Sequence, residues 1–309
     1  MLKNVILTGG TGLTGNALLR YLLKQNVSVT VLVRKNSIRL GNIPNHPNVK
    51  IVFCNLDEYS VADDLLKGVS YDAFFHLAWD GSMGDKKVDN RYNVSLQMSN
   101  LNYLLQAVEL CNRIGCKKFI ATGSQAEYGL VKDSINENTP CFPNTAYGAA
   151  KVCAHGMAEI LCDKYGISLI WIRLFSIYGP HDGAQSLVDT AVKEMINKKK
   201  SIAYSSGEQE WNYLYSFDAA KAIYLLADRL NHSDTFCVAS AKGRKLKEYI
   251  NCIHETVDNK IVPRFGEKES GPVELNVDIS KLEREIGAFE EYTFEEGIKT
   301  IVSEYKKNV

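Results

Sequence analysis

No apolar run in this 309-residue chain is long enough to span a membrane, and no charge excess marks it for a polyanion. Lys+Arg and Asp+Glu both number 36, so the formal net charge is zero. That argues against nucleic acid or an anionic membrane as the main partner, and any anion site must be local. No charged leader precedes an apolar core at the start. Residues 4–8 already read as a strand, so no signal peptide is expected and a cytoplasmic location is. A C-x-x-C pair is also missing. Cys54, Cys111, Cys116, Cys141, Cys153, Cys162, Cys237 and Cys252 are scattered, which suits reduced thiols better than a zinc site or a disulfide framework. Internal repeats, low-complexity segments and long linkers are absent. One last absence is local: from Val27 to Leu56 there is no Asp or Glu.

What is present begins with Asn4-Val5-Ile6-Leu7-Thr8, a buried-strand pattern, and Thr8-Gly9-Gly10-Thr11-Gly12-Leu13-Thr14-Gly15 follows at once. Leu13, Ala17, Leu18, Tyr21 and Leu22 then share one helical face. Strand, glycine turn and helix are the context in which such a motif carries information. Gly10, Gly12 and Gly15 fit G-x-G-x-x-G, while Gly9, Gly12 and Gly15 fit a three-residue spacing. Positions without side chains let the backbone approach a pyrophosphate, whose charge suits a helix N-terminus. The second strand, 27–33, ends in Arg34-Lys35, where an acid usually holds the ribose 2′-hydroxyl of NAD. Basic residues there predict a 2′-phosphate reader, and so NADP(H) in preference to NAD(H).

Further strands are expected at 49–53, 73–78, 117–122 and 167–173, with long helices at 90–114 and 145–164. Strands alternating with helices indicate an α/β fold, a doubly wound parallel sheet with helices on both faces. Residues 1–176 read as a dinucleotide-binding domain. Residues 177–309 read as a smaller lobe over the carboxyl ends of the strands, with part of 212–240 returning to the sheet. His76, inside an apolar run, reads as a core histidine, and Lys198-Lys199-Lys200 as a solvated helix end. The helix at 145–164 is apolar nearly all round: Tyr147, Ala150, Ala154, Met157 and Leu161 line one side, and Ala149, Val152, Cys153, Ile160 and Cys162 much of the rest. Such a helix on the outside of a sheet wants a second partner, which predicts a homodimer through the two long helices.

The chemistry centres on Thr122-Gly123-Ser124 and on Tyr147 and Lys151, four residues apart on one helix face. A Lys charge there favours the phenolate and predicts a lowered Tyr147 pKa, while Ser124 can hydrogen-bond the same carbonyl oxygen. Any helix can carry Tyr-x-x-x-Lys as a solvated Lys and a half-buried Tyr. The glycine turn at the other end of the chain is what gives the pair meaning.

Taken together, the chain resembles the extended short-chain dehydrogenase/reductases that act on nucleotide sugars. The resemblance covers nearly the whole length. It rests on the glycine turn, His76-Leu77-Ala78-Trp79, Asn93, Thr122-Gly123-Ser124-Gln125-Ala126-Glu127-Tyr128-Gly129 and Tyr147-x-x-x-Lys151. Arg173-Leu174-Phe175-Ser176-Ile177-Tyr178-Gly179-Pro180 and Trp211 to Asp218 complete the set. It implies a Rossmann domain binding NAD(P) and a lobe binding a nucleoside-diphosphate sugar, with no metal. Ser124, Tyr147 and Lys151 would be catalytic. Gly9, Thr11, Gly12, Leu13, Thr14, Gly15, Arg34, Lys35, Asn55, Leu56, Leu77, Ala78, Trp79, Asn93, Thr122, Tyr147, Lys151, Leu174 and Ser176 would hold the cofactor. Trp79, Ser124, Gln125, Glu127, Tyr147 and Ser176 would meet the substrate. The chain departs from the usual pattern at Asn55, where an Asp is frequent, at Trp79, where a second Ala is common, and at Ser176, where an Asn often stands. Gln125 and Ala126 replace the acids of the related 4,6-dehydratases, so dehydration is not expected. The expected reaction is NADPH-dependent reduction of the C4 keto group of a CDP- or dTDP-linked 4-keto-6-deoxy sugar. The alternatives are an NAD-dependent nucleotide-sugar 4-epimerase and a non-catalytic dinucleotide sensor.

Overall fold

The computed structural model describes residues 1–82, 89–182, 186–197, 201–258, 260–269 and 274–307. The Lys198-Lys199-Lys200 run and most of the loop before residue 89 lie outside these residues. Seven strands form one sheet: β1 (Asn4–Thr8), β2 (Ser28–Val33), β3 (Val49–Phe53), β4 (Ala73–His76), β5 (Lys118–Ser124), β6 (Ser168–Leu174) and β11 (Asp234–Val238). Their order is β11-β6-β5-β4-β1-β2-β3, and every pairing is parallel. This is the doubly wound Rossmann-type sheet expected from the alternation of strands and helices. A parallel sheet is covered on both faces, so its strands read as nearly unbroken apolar runs. Alternate residues of β1 show it: Val5 and Leu7 enter one core and Ile6 the other.

Helices α1 (Leu13–Lys24) and α5 (Ser216–Arg229) cover the first face, with Leu18, Leu22, Ala219 and Ile223 fully buried. Helices α2 (Val94–Arg113) and α3 (Ala146–Tyr165) cover the second, with Leu104, Val108, Ala154 and Ala158 against Phe74, Phe119 and Trp171. The expected helix from residue 90 begins instead as a 3-10 turn, Asn90–Tyr92, because Asn93 caps α2. The inward face of α3 differs from the expected row. Gly148, Ala150, Lys151, Ala154, Ala158 and Cys162 are buried, whereas Met157 is 43% and Ile160 70% exposed. Small side chains bring this helix close to the sheet, and that closeness carries Lys151 inside.

The rest forms a lobe with its own core. It contains α4 (Leu187–Ile196), α6 (Leu246–Val257), α8 (Phe294–Lys307) and the short pairs β7 (Ile177–Tyr178) with β10 (Leu214–Tyr215), β8 (Ser201–Ala203) with β13 (Val262–Arg264), and β9 (Glu210–Trp211) with β12 (Arg244–Lys245). Tyr178, Tyr249, Phe294 and Ile298 pack at its centre. Helix α7 (Ser280–Ile286) returns to the first sheet core. Among the described residues, no helix is long and apolar enough to cross a membrane.

Candidate active site

The sheet order reverses at β1 and β4, and the glycine turn leaves β1 at that point. Gly9 adopts φ +76°, and a Cβ there would come within 2.8 Å of the Leu77–Ala78 backbone. A Cβ on Gly15 would run into the Gly9 carbonyl oxygen. These two glycines are needed for the turn to pack. Gly12 differs: the nearest atom to an added Cβ is 3.6 Å away, and no side chain caps α1 there. The helix N-terminus therefore keeps its N–H groups open above a position without a side chain, which fits a pyrophosphate. Two residues not anticipated from the sequence brace this turn. The Asn42 amide donates to the Thr11 carbonyl at 2.9 Å, and the Asn16 amide donates to the Asn42 carbonyl at 2.7 Å.

The contrast makes a prediction. Gly12→Ala should fold normally but bind cofactor ~10-fold or more weakly, because its methyl occupies ligand space. Gly15→Ala should instead lower the melting temperature, since backbone cannot yield as a side chain does. Melting curves beside the cofactor content of the purified variants separate the two effects.

The end of β2 departs from expectation. Lys35 Nζ lies 2.6 Å from Glu58 Oε1, and Glu58 Oε2 accepts a bond from Asn55 N. Asn55 Oδ1 accepts from Lys35 N and starts the 3-10 turn that opens with the half-buried Leu56. An acid does stand at this strand end, supplied from 23 residues further on. Lys35 is therefore not a bare cation, while Arg34 beside it is exposed.

At the end of β4, Leu77 N and Ala78 N donate to the Thr8 carbonyl and hydroxyl, so this strand end is laced to the glycine turn. His76 is buried beneath it, 3.1 Å from the Thr8 hydroxyl, and burial with the Lys151 charge pushes its imidazole down to about 3. Ser124 ends β5 opposite Leu174 of β6. The Ser124 side chain lies close enough to the Tyr147 hydroxyl to favour its ionised form, and Lys151 Nζ lies 5.9 Å from the centre of the Tyr147 ring. The structure thus brings the three proposed catalytic side chains together. It does not show the expected lowering of Tyr147. Burial pushes the phenol up to about 12, the Ser124 side chain opposes this and the Glu127 charge adds to it. Lys151 donates to the Thr122 carbonyl at 2.6 Å rather than to Tyr147, and burial pushes its ammonium down to about 7.

Glu127 and Asn93 are both tied into the protein's own hydrogen bonds. Glu127 is turned into the protein interior. It is fully buried, and its carboxylate accepts bonds from Ser124 N at 2.8 Å, Trp171 Nε1 at 3.2 Å and Arg173 Nε at 2.8 Å. Asn93 is exposed, and its side-chain oxygen accepts from Leu96 N as the cap of α2. Gln125 and Ser176, by contrast, do meet: Gln125 Oε1 accepts from Ser176 N and Oγ at 3.2 and 3.3 Å. Ser176 pays for this with a φ of +43°, uncommon for a residue with a side chain. Beyond it, Gly179 packs near Leu13, so the lobe enters over the start of α1.

Comparison with known proteins agrees with this geometry. An uncharacterized UDP-glucose epimerase of Bacillus subtilis is 23% identical over 90% of each chain. The UDP-N-acetylglucosamine 4-epimerase of Methanobrevibacter ruminantium, solved with UDP-N-acetylmuramic acid, superposes with a TM-score of 0.86 at 24% identity over 99% of both chains. The dTDP-glucose 4,6-dehydratase of Bacillus anthracis, solved with NAD, gives 0.82 at 19% identity over 99% of this chain and 97% of that one. NAD, not NADP, occupies that fold, which with the Lys35–Glu58 pair overturns the expected preference for NADP(H). The model of a family of catalytic NAD(P)-dependent oxidoreductases matches residues 5–239, and by that match the chain belongs to the NAD dependent epimerase/dehydratase family.

Proposed function

We propose that this chain is an NAD-dependent nucleotide-sugar 4-epimerase. The observation that supports it is the side-chain inventory around Ser124. Among the described residues, Tyr147 is the proton-transfer group beside Ser124, Gln125 is an amide, Ala126 is inert and Glu127 is sealed in an ion pair. A dehydratase needs a carboxylate there to take a carbon-bound proton and assist water loss. An epimerase needs only to remove and restore one hydroxyl proton while hydride leaves and returns at the same carbon. Reduction by NADPH is not carried forward, because it rested on the basic end of β2. The name printed for the Bacillus subtilis relative, UDP-glucose epimerase, points the same way, and a nucleoside-diphosphate hexose is the proposed substrate.

On this reading Gly9, Thr11, Gly12, Leu13, Thr14 and Gly15 hold the pyrophosphate, and Asn55, Leu56, Leu77, Ala78, Thr122 and Leu174 line the rest of the cofactor. Bound NAD supplies a hydride acceptor that can return what it takes. Tyr147 takes the proton from the sugar C4 hydroxyl and gives it back, Ser124 holds that oxygen, and the Lys151 charge favours the phenolate. Gln125 and Ser176, joined to each other, form the wall beside C4.

Protein purified without added cofactor is expected to release about one NAD per chain on denaturation and to interconvert C4 epimers of UDP-hexoses without added reductant. Net consumption of NADPH with a 4-keto sugar, and no epimer exchange, would sink the reading. We also propose that the exposed Met98, Met157 and Ile160 on the outer faces of α2 and α3 are covered by a second copy. Ile160→Glu should then halve the mass measured by light scattering. An unchanged mass would refute it.

A further inference from the structure

Trp79 stands at the end of β4, where the resemblance leads one to expect a small residue. Its ring lies under the buried Lys151, with Nζ 3.7 Å from the ring centroid. The same ring meets Tyr147 edge-on, 6.1 Å between centroids at 80°. The indole cannot turn freely, because Trp79 Nε1 donates to Gln97 Oε1 at 2.7 Å. Gln97 is itself buried, and its amide nitrogen donates to the carbonyls of Asn90 at 2.9 Å and Gly81 at 3.3 Å. Those carbonyls can only accept, so the amide cannot flip and its oxygen must face the indole.

We propose that Trp79 is a positioning residue for Lys151: its indole face, locked by Gln97, keeps the ammonium charged and seated between the Thr122 carbonyl and the Tyr147 ring. An ammonium stripped of water needs a replacement for it. The negative face of an indole supplies one at cation–π distance without adding a carboxylate that would compete for the Tyr147 proton. The other ionisable groups facing Lys151 are Glu127, which favours its charge, His76, which stays neutral, and Tyr147. The Thr122 carbonyl holds one N–H of the ammonium at 2.6 Å, and the ring covers the face that this bond leaves open.

The proposal rests on the catalytic role given to Lys151, so its test reads Lys151 directly as well as through turnover. Tryptophan with one, two and three ring fluorines is placed at position 79 alone, which drains charge from the ring face with little change of shape. The Lys151 titration is followed by NMR in lysine-labelled, NAD-loaded protein. The midpoint is expected to fall stepwise, by about one pH unit at full substitution, and the alkaline limb of turnover to move with it. Trp79→Phe, which keeps an aromatic face, should fall between the native and trifluorinated proteins. A midpoint unmoved by fluorination, or one that rises, overturns the proposal. If the midpoint falls while the rate limb stays, Trp79 holds Lys151 but the catalytic role proposed for Lys151 fails.

Discussion

Tyr147→Phe is expected to lower turnover by ~10²–10⁴-fold, the usual worth of a positioned general acid or base, while leaving the fold and cofactor content unchanged. The ring stays, so its edge contact with Trp79 and its seat in the wall of the site are preserved. Only the hydroxyl goes, and with it the one group beside Ser124 that can carry the proton. Ser124 is a poor substitute, since its hydroxyl already accepts a bond from Ala126 N at 3.2 Å and has no base beside it. The elevated phenol sharpens the expectation. With Tyr147 near 12 and Lys151 near 7, the free protein at neutral pH holds a neutral phenol. Measured in single-turnover mode, where chemistry is not masked by product release, a Tyr147→Phe rate within threefold of wild type would refute the assignment.

The second large effect is on stability. Glu127→Ala is expected to cost ~3–5 kcal/mol, because it strands the buried Arg173 guanidinium without its counter-charge. It also removes acceptors from Ser124 N and Trp171 Nε1. For a protein of this size the loss corresponds to a fall in melting temperature of roughly 5–8 °C. Arg173 keeps weaker partners, donating to the Tyr128 hydroxyl at 2.7 Å and the Glu137 carbonyl at 3.2 Å, and these cannot neutralise it. Removing both charges in Glu127→Leu/Arg173→Met should restore much of the stability, since the desolvation cost of the pair disappears with it. A substrate ligand at position 127, as its place after Ser124 suggested, would give the opposite pattern: a raised KM at an unchanged melting temperature. Thermal melts and kinetics on the single and double variants decide between them.

Gly123 shows why that carboxylate escapes a linear reading. A side chain at Gly123 would collide with Glu127 Oε1 and the Trp171 indole nitrogen, so the glycine before Ser124 makes room for a buried acid. In the chain, Glu127 is merely an acid near a reactive hydroxyl. Its partners, Trp171 and Arg173, come from a strand more than 40 residues away. The same holds at the end of β2, where Glu58 reaches Lys35, and at the glycine turn, where Asn42 reaches Thr11.

Everything carried by short-range spacing was determined by the sequence alone. A strand feeding a glycine turn into a helix, a Tyr and a Lys four apart, and strands alternating with helices each rest on geometry within one or two elements. Backbone periodicity decides them before any tertiary contact forms. The three-dimensional packing decided which charges are available. Lys35 reads as a free cation until Glu58 folds onto it, Glu127 as a ligand until Arg173 closes over it, and Lys151 as the partner of Tyr147 alone until Trp79 and Thr122 take up its ammonium. An ionised group's behaviour depends on its nearest opposite charge and its access to water, and in this fold both come from distant parts of the chain.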